Sequence, residues 1–420
     1  MYMKKDIAKI FQEAAVTRRV LAEAPVSKIN QALRLAARLF WQERQKILAI
    51  NAKDLSKISP LAAFYDRAKL TEERIVAMAK QLQVVASLPS PLGRQQEKRK
   101  LPNGLELSRV SVPLGVVGVI YEARPNVTAE VFSLCLKSGN VCILKGGKEV
   151  AGTNTFLVRL IRQALQASSL PSASINLLPG GRDNVAALLQ ADGTVDVIIP
   201  RGGAGLIEYV RKNSIVPVIE TGAGVVHTYF DKTGDVQAAA QIIFNAKTRR
   251  VSVCNALDTL LINRQRLADV FPLVAPLATR KVIVWADSAT YQKLKGKYPA
   301  ALLRHARPTD FGREFLDYQL SIKVAESLEE AINHINKFGS HHSDAIISKD
   351  KKSIQRFFQA VDSAVVYANA STAFSDGAEF GLGAEIGIST QKLHARGPLG
   401  LAALTSYKWI IRGQGQTRPV

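Results

Sequence analysis

Between residues 113 and 225 the chain alternates short unbroken apolar runs with longer stretches of mixed polarity. The runs are 115–121 (GVVGVIY), 141–144 (VCIL), 175–178 (INLL), 195–199 (VDVII) and 217–219 (PVI). Runs with so little polar alternation fit strands of a parallel sheet, which crossover helices cover on both faces. Segments 149–167 and 182–190 lie between runs and read as helices. This rhythm predicts a doubly wound α/β domain. Such sheets bind ligands at the carboxyl ends of their strands.

The flanking regions follow other periods. In 29–48, Leu33, Ala37, Phe40, Trp41, Ile47 and Leu48 recur at helical spacing, with Lys and Arg mostly between them. That is an amphipathic helix with a solvated basic face. Around 100–112, Asn103-Gly104 separates two short alternating segments and predicts a hairpin. Its exposed edges suit dimerisation, or it is a plain surface hairpin. Residues 406–412 (SYKWIIR) alternate like a strand.

Composition narrows the class. The 420 residues are 47% hydrophobic, enough for two or three domains with cores of their own. The longest charge-free apolar run, 110–121, has about 12 residues against the ~20 a membrane-spanning helix needs. The N-terminal MYMKKDIAKIFQEAA has no apolar core of a signal peptide. Three cysteines without a C-x-x-C pair cannot build a disulfide framework, so a reducing, cytoplasmic setting is expected. Adjacent His341 and His342 lack metal-ligand spacing around them, and no metal is expected. The net charge of +21 suggests an anionic partner. Nucleic acid is disfavoured, because aromatics are only 7% and much of the excess sits on N-terminal helix faces.

Candidate chemistry gathers at strand ends. Lys145-Gly146-Gly147-Lys148 follows VCIL, and Pro179-Gly180-Gly181 follows INLL. Arg201, Gly202, Gly203, Ala204 and Gly205 follow VDVIIP and lead into LIEYVRKN, a helix candidate. Glycines let a backbone approach a pyrophosphate, and the helix start offers N–H donors. There is no G-x-G-x-x-G fingerprint, so an ordinary glycine turn is an equal reading. Lys145 fits a ribose or 2′-phosphate, or simply solvent. Cys254 has Lys247, Arg249 and Arg250 close in sequence, and a nearby cation lowers a thiol pKa. Cys135 and Cys142 lie in apolar stretches and read as core.

The segments 112–128 (VPLGVVGVIYEARPNVT), 136–149, 197–207, 218–224 (VIETGAG), 252–262 (SVCNALDTLLI) and 379–409 closely resemble the gamma-glutamyl phosphate reductase family of the aldehyde dehydrogenase superfamily. The resemblance runs nearly end to end. It implies an α/β, aldehyde dehydrogenase-like fold: a Rossmann-type cofactor domain, a second α/β catalytic domain and a β-hairpin oligomerisation arm. The assignment is 1–95 and 113–225 for the cofactor domain, 226–395 for the catalytic domain, and 96–112 with 396–420 for the arm. The active site is expected in the cleft between the two domains.

The implied reaction is the NADPH-dependent reduction of L-glutamyl 5-phosphate to L-glutamate 5-semialdehyde in proline biosynthesis, with phosphate released. By the resemblance, Cys254 is the nucleophile that forms a thioester, and the Asn126 amide with the Cys254 N–H makes an oxyanion hole. Glu220 matches the superfamily's general base, or caps a glycine turn. Lys145, Arg201, Gly202, Gly203 and Gly205 are the cofactor candidates, with Glu314 for the nicotinamide ribose or as a surface helix glutamate. Arg124, Glu385, Lys392, His394 and Arg396 are the substrate candidates, and Gly381, Gly383 and Gly387 also fit a tight loop. Departures from the family pattern are Val251 where Pro is common, Ala373 where a basic residue is common and His341 where Gly is usual. A homodimer or homotetramer is implied, and a transient contact with glutamate 5-kinase would shelter the labile acyl phosphate. The alternatives are another acyl-phosphate or aldehyde dehydrogenase of the superfamily, and a basic nucleic-acid-binding protein.

Overall fold

The fold is that of a computed structural model, which describes residues 2–62 and 64–418. The chain forms two compact units, one of residues 1–221, 381–387 and 398–420, the other of residues 222–380 and 388–397.

The first unit opens with helices α1 (Tyr2–Ala22), α2 (Val26–Gln42), α3 (Arg44–Leu55), α4 (Tyr65–Ala68) and α5 (Glu72–Ser87). The single helix expected over 29–48 is two helices, broken at Glu43, whose φ/ψ of −94°/12° leaves the helical region. Ile29, Leu33, Ala37 and Phe40 are buried as their spacing predicts, but Trp41 is exposed and lies under the Arg44 guanidinium.

Strands β1 (Gln95–Lys100) and β2 (Glu106–Pro113) form the hairpin. The connection is longer than a two-residue Asn-Gly turn: Leu101 N–H donates to the Leu105 carbonyl, and Gly104 takes φ +87°. The C-terminal strand, Thr405–Arg412, pairs antiparallel with β2, giving a three-stranded sheet with that strand at one edge.

A four-stranded parallel sheet follows: β3 (Val116–Tyr121), α6 (Pro125–Lys137), β4 (Val141–Lys145), α7 (Ala151–Ala167), β5 (Ile175–Leu177), α8 (Arg182–Leu189), β6 (Val197–Arg201) and α9 (Ala204–Asn213). The strand order is β5-β4-β3-β6. Strand β3 is buried along its whole length, as the continuous apolar run requires. Of the run expected at 195–199, strand β6 takes in 197–199; just before it the Asp196 N–H donates to the Val116 carbonyl, while its carboxylate accepts the Val116 N–H at 2.7 Å and meets Arg18. The run 217–219 makes one parallel bridge, Ile198 to Val218, rather than a strand. Pro217 has no N–H to extend a ladder. The chain order reverses direction between β3 and β6, and that crevice is where such sheets take ligands.

The second unit is built on β7 (Val226–Phe230), α10 (Val236–Thr248), β8 (Leu257–Asn263), α11 (Val270–Val274), β9 (Ile283–Ala286), α12 (Ser288–Leu294), β10 (Leu303–His305), β11 (Gln319–Ala325), α13 (Leu328–Phe338), β12 (Ser343–Ile347), α14 (Lys351–Ala360) and β13 (Val365–Ala368). These strands make one seven-stranded sheet in the order β10-β9-β11-β8-β7-β12-β13, parallel throughout. Asp235, Asp287, Ser327 and Asp350 each cap a helix by accepting its first free N–H groups.

The units divide at 221/222, where the sequence places the boundary at 225/226. The segment 381–387, expected with the catalytic domain, packs with the first unit instead. Gly383 faces Val84 of α5 and Leu88, the residue that ends it, so closely that a Cβ would stand 2.9 Å from Leu88. The Ile386 N–H donates to the Leu399 carbonyl.

Candidate active site

In the first unit the chain leaves β3 at Tyr121, passes Glu122 and Ala123, and enters α6 with Arg124 as the N-cap and Pro125 at the first helical position. Proline suits that position because its missing N–H has no helical partner there. Asn126 thus sits in the first turn, beside the switch crevice. Its Nδ2 donates to Glu130 Oε1 at 2.7 Å, and its Oδ1 makes no hydrogen bond to a described residue.

Three arginines gather at this end of the sheet. Arg124, Arg201 and Arg67 are half-buried. Burial, then the charges of Arg201 and Arg67, lower the Arg124 guanidinium to about 10, against the pull of Glu130 and Glu122. The Nε atoms of Arg124 and Arg201 are buried without a hydrogen-bond partner. Gly387 lies flat against Arg201, where a Cβ would be 2.7 Å from its guanidinium. Glu385, two residues earlier, belongs to the same unit. Arg67, on the short α4, carried no motif and was not singled out in the sequence.

The turn after β6 is not open in the way its glycines suggest. Glu122 Oε2 accepts the Gly203 N–H at 3.1 Å, and Gly202 has no room for a Cβ, which would stand 2.7 Å from Glu122 Cδ. A carboxylate at the start of α9 suits the helix dipole. Gly205 faces open space. Glu220 is half-buried, with Oε1 3.9 Å from Arg211 Nε.

A cavity of about 660 Å³ opens at the ends of β4 and β5, lined among others by Gly146, Gly147, Lys148, Asn154, Arg159 and Gly180. A Cβ on Gly147 would stand 3.2 Å from the Ala123 backbone nitrogen, so the two backbones approach closely there. Lys145 is nearly buried, and its Nζ donates to the Gly146 carbonyl at 3.2 Å. Burial lowers its pKa, and Glu149 partly offsets that. Neither Lys145 nor the 201–205 turn lines this cavity.

In the second unit, Cys254 lies in the turn between α10 and β8 and is half-buried, whereas Cys135 and Cys142, in the first unit, are fully buried. The turn is held from both sides. Asn255 Nδ2 donates to the Ser375 carbonyl at 2.9 Å and to Ala373 at 3.3 Å, while Thr372 Oγ1 donates to the Asn255 carbonyl. On the other side the Gly224 backbone presses on the Cys254 carbonyl, and Gly224 N–H donates to Glu314 Oε1 at 2.9 Å. Glu314 is therefore tied to the segment leading into β7.

Lys247, close to Cys254 in sequence, is paired with an acid. Its Nζ is fully buried, 3.7 Å from Asp258 Oδ1. Burial lowers the Lys247 pKa and raises that of Asp258 to about 6. Asp258 also accepts the Phe315 N–H at 3.1 Å, so this pair fastens the strap that carries Glu314. Arg249 and Arg250 are exposed.

Lys392 and Arg396 are likewise committed. Lys392 Nζ lies 2.9 Å from Asp362 Oδ2, and Arg396 donates to Asp362 Oδ1 and to its carbonyl, each at 3.0 Å. His341 holds the same residue, with Nδ1 2.6 Å from the Asp362 carbonyl oxygen, and takes φ +61°. A left-handed backbone explains why glycine is the usual residue there. His394 follows Leu393, which is 81% exposed. Asp362, like Glu122 and Asp258, carries no motif and was missed. Among the described residues, no group of three or more His, Cys, Asp or Glu side chains is placed to hold a metal ion, and no helix is long and apolar enough to cross a membrane.

A sequence profile of the aldehyde dehydrogenase family matches residues 2–285. A gamma-glutamyl phosphate reductase of Bacteroides fragilis is 53% identical over 400 residues, covering 95% of this chain and 96% of the relative. One from Legionella pneumophila is 56% identical over 374 residues, covering 89% and 90%. The crystal structure of gamma-glutamyl phosphate reductase from Thermotoga maritima superimposes with a TM-score of 0.93 at 36% identity, covering 98% of this chain and 100% of that one. The chain belongs to the gamma-glutamyl phosphate reductases. It is therefore an oxidoreductase with the aldehyde dehydrogenase fold. The blocks that carry the resemblance, 112–128 and 252–262, form β3 with the start of α6 and the Cys254 turn with β8.

Proposed function

We propose that this enzyme reduces L-glutamyl 5-phosphate to L-glutamate 5-semialdehyde with NADPH, releasing phosphate, through a thioester on Cys254. The observation that carries the reading is the seating of Cys254. Of the three cysteines it alone reaches solvent, on a turn clamped by Asn255 and backed by Gly224. A fixed, accessible thiolate is what covalent catalysis needs.

The sulfur attacks the acyl carbonyl, and the S–C bond forms as the C–O bond to phosphate breaks. The negative charge that builds on the carbonyl oxygen is met by the Cys254 backbone N–H and the Asn126 amide. Glu130, which already accepts one Asn126 N–H, orients that amide. The cofactor, when bound, supplies the hydride that reduces the thioester carbon. Collapse of the resulting thiohemiacetal frees the aldehyde and returns the thiolate. Glu220 serves proton transfer around the thiol.

Residues in the cavity at the ends of β4 and β5 fit a phosphorylated dinucleotide. Glycines 146, 147 and 180 allow close backbone approach, and the Lys148 and Arg159 cations border the same space. Lys145 lies next to this wall and supports it from the strand. The 201–205 turn receives the cofactor only where Glu122 gives up the Gly203 N–H. Glu385, Lys392, His394 and Arg396 contribute to substrate recognition, the two cations through Asp362.

Assembly as a homodimer or homotetramer is part of the same reading. It is supported by the outer edge of the C-terminal strand, where Tyr407, Trp409 and Ile411 stand exposed. A passing contact with glutamate 5-kinase would limit hydrolysis of the acyl phosphate.

The test runs the reaction backward with glutamate semialdehyde, NADP and inorganic phosphate, following NADPH absorbance. Phosphate-dependent turnover that disappears in Cys254→Ser is the expected result. Turnover independent of phosphate would indicate an ordinary aldehyde dehydrogenase.

A further inference from the structure

We propose that Arg67, Arg124 and Arg201 form the subsite for the phosphoryl group of the substrate, and for inorganic phosphate in the reverse direction. This rests on the reductase reading above and assigns Arg201 to substrate rather than cofactor.

Three half-buried guanidiniums meet here: Arg201 ends β6 opposite Tyr121, Arg124 follows β3 by three residues, and Ala68, next to Arg67, packs in one cluster with Ala123, next to Arg124. Among the described residues none of these side chains makes a hydrogen bond or an ion pair, and Nε of both Arg124 and Arg201 is buried without a partner. The carboxylates that face Arg124, Glu122 and Glu130, are otherwise engaged: Glu122 accepts the Gly203 N–H and Glu130 accepts from Asn126. Burial, and then the like charges of Arg201 and Arg67, disfavour the Arg124 cation. Such an arrangement costs stability unless an anion neutralises it. Elsewhere in this chain half-buried arginines have partners: Arg18 meets Asp196, Arg162 the Ile175 carbonyl, and Arg266 Asp269.

The chemistry of the anion follows from charge and place. A phosphoryl group is dianionic and presents several oxygens, which suits more than one guanidinium fork. Arg124 lies two residues before Asn126, so an oxyanion held by Arg124 sits next to the amide proposed for the carbonyl oxygen. When the thiolate attacks, the electron pair of the C–O bond leaves on the phosphate oxygen, which gains one negative charge and then takes a proton from water. The three cations stabilise that charge as it develops. The cavity proposed for the cofactor is lined by none of the three. Gly387, in the segment that carries Glu385, packs against the Arg201 guanidinium.

The reverse assay separates the ligands, because inorganic phosphate, NADP and semialdehyde each have their own KM. In Arg67→Gln and Arg201→Gln the KM for phosphate should rise by about 10–100-fold, the worth of one charge-assisted hydrogen bond. The KM for NADP should stay unchanged, and Arg67→Lys should recover part of the loss. A rise in the KM for NADP or semialdehyde, with that for phosphate unchanged, overturns the subsite. Should the Gln variants fail to fold, wild-type enzyme is treated with phenylglyoxal and the modified arginines are located by peptide mass. Inorganic phosphate should protect Arg67, Arg124 and Arg201, and absence of protection overturns the proposal. If wild type turns over without phosphate, the reductase reading itself falls. If wild type needs phosphate but the variants keep its KM, only this subsite falls.

Discussion

Gly224 and Cys254 meet backbone to backbone: a Cβ built on Gly224 would overlap the Cys254 carbonyl and stand 2.7 Å from its Cα. Nothing at that contact is a flexible side chain that can swing away. Gly224→Ala must therefore move Cys254 or the segment that leads into β7. Displacing a reacting group by about 1 Å costs on the order of 10²-fold in rate. We expect kcat to fall by at least that much in Gly224→Ala, with cofactor binding retained. Steady-state kinetics with a fluorescence titration of NADPH would show it, and an unimpaired kcat would mean that the turn tolerates the shift.

The Lys247–Asp258 pair makes a stability prediction. Both side chains are buried. Lys247→Met leaves the Asp258 carboxylate without its cation and should cost about 3–5 kcal/mol. Lys247→Met combined with Asp258→Asn should cost less than Lys247→Met alone, since no charge is then stranded. Urea midpoints of the three proteins decide this; a double variant weaker than the single would contradict it.

A pH effect follows from His334. Its ring is packed between His227, Phe311 and Phe338. Burial, followed by repulsion from His227 and Lys323, lowers its pKa from 6.5 to about 3, with Glu330 opposing. The unfolded chain binds that proton near pH 6.5 and the folded one only near 3. Falling pH between these values thus favours unfolding, by at most about 1.4 kcal/mol per pH unit. Asp258 works in the opposite direction between 3.8 and about 6, since its folded form keeps the proton longer. His334→Gln should lose less stability than wild type between pH 7 and pH 5. Equal losses, measured by denaturant unfolding, would remove His334 from the account.

Much of this was legible in the sequence because the signal was local. The strands β3, β4 and β6 are buried on both faces, so their apolar runs stand out unbroken. Cys135 and Cys142 were separable from Cys254 by their apolar neighbours alone. What was not legible involves partners distant along the chain. Lys247, Lys392 and Arg396 look alike as cations near conserved-looking motifs, yet Asp258 and Asp362 hold them. Glu122 reaches the Gly203 turn across 81 residues. Arg67 sits in a four-residue helix with no pattern of its own. The break at Glu43 was hidden because the apolar spacing continues across it.

The exposed row on the C-terminal strand predicts an assembly defect. Tyr407, Trp409 and Ile411 are 51%, 41% and 57% exposed and alternate along one face. Arg109 stacks over Tyr407, and both Arg99 and Arg109 lie over Trp409. Charging this row with Tyr407→Lys and Ile411→Lys should lower the oligomeric mass seen by light scattering at micromolar concentration. A wild type that is already monomeric would remove the arm from the argument.

The pairing of the C-terminal strand with β2 also bears on how the chain is made. Thr405–Arg412 is translated long after its partner, Glu106–Pro113. Until Thr405–Arg412 emerges, β2 carries an uncovered ladder edge, and the first unit also waits for 381–387. Contacts this distant along the chain form slowly, and open strand edges invite aggregation meanwhile. A ribosome stalled before residue 380 would hold a first unit lacking its closing strand. Chaperone dependence should therefore be decided by the translation of 381–412 and not by the second unit, whose seven strands all lie between Gly222 and Phe380.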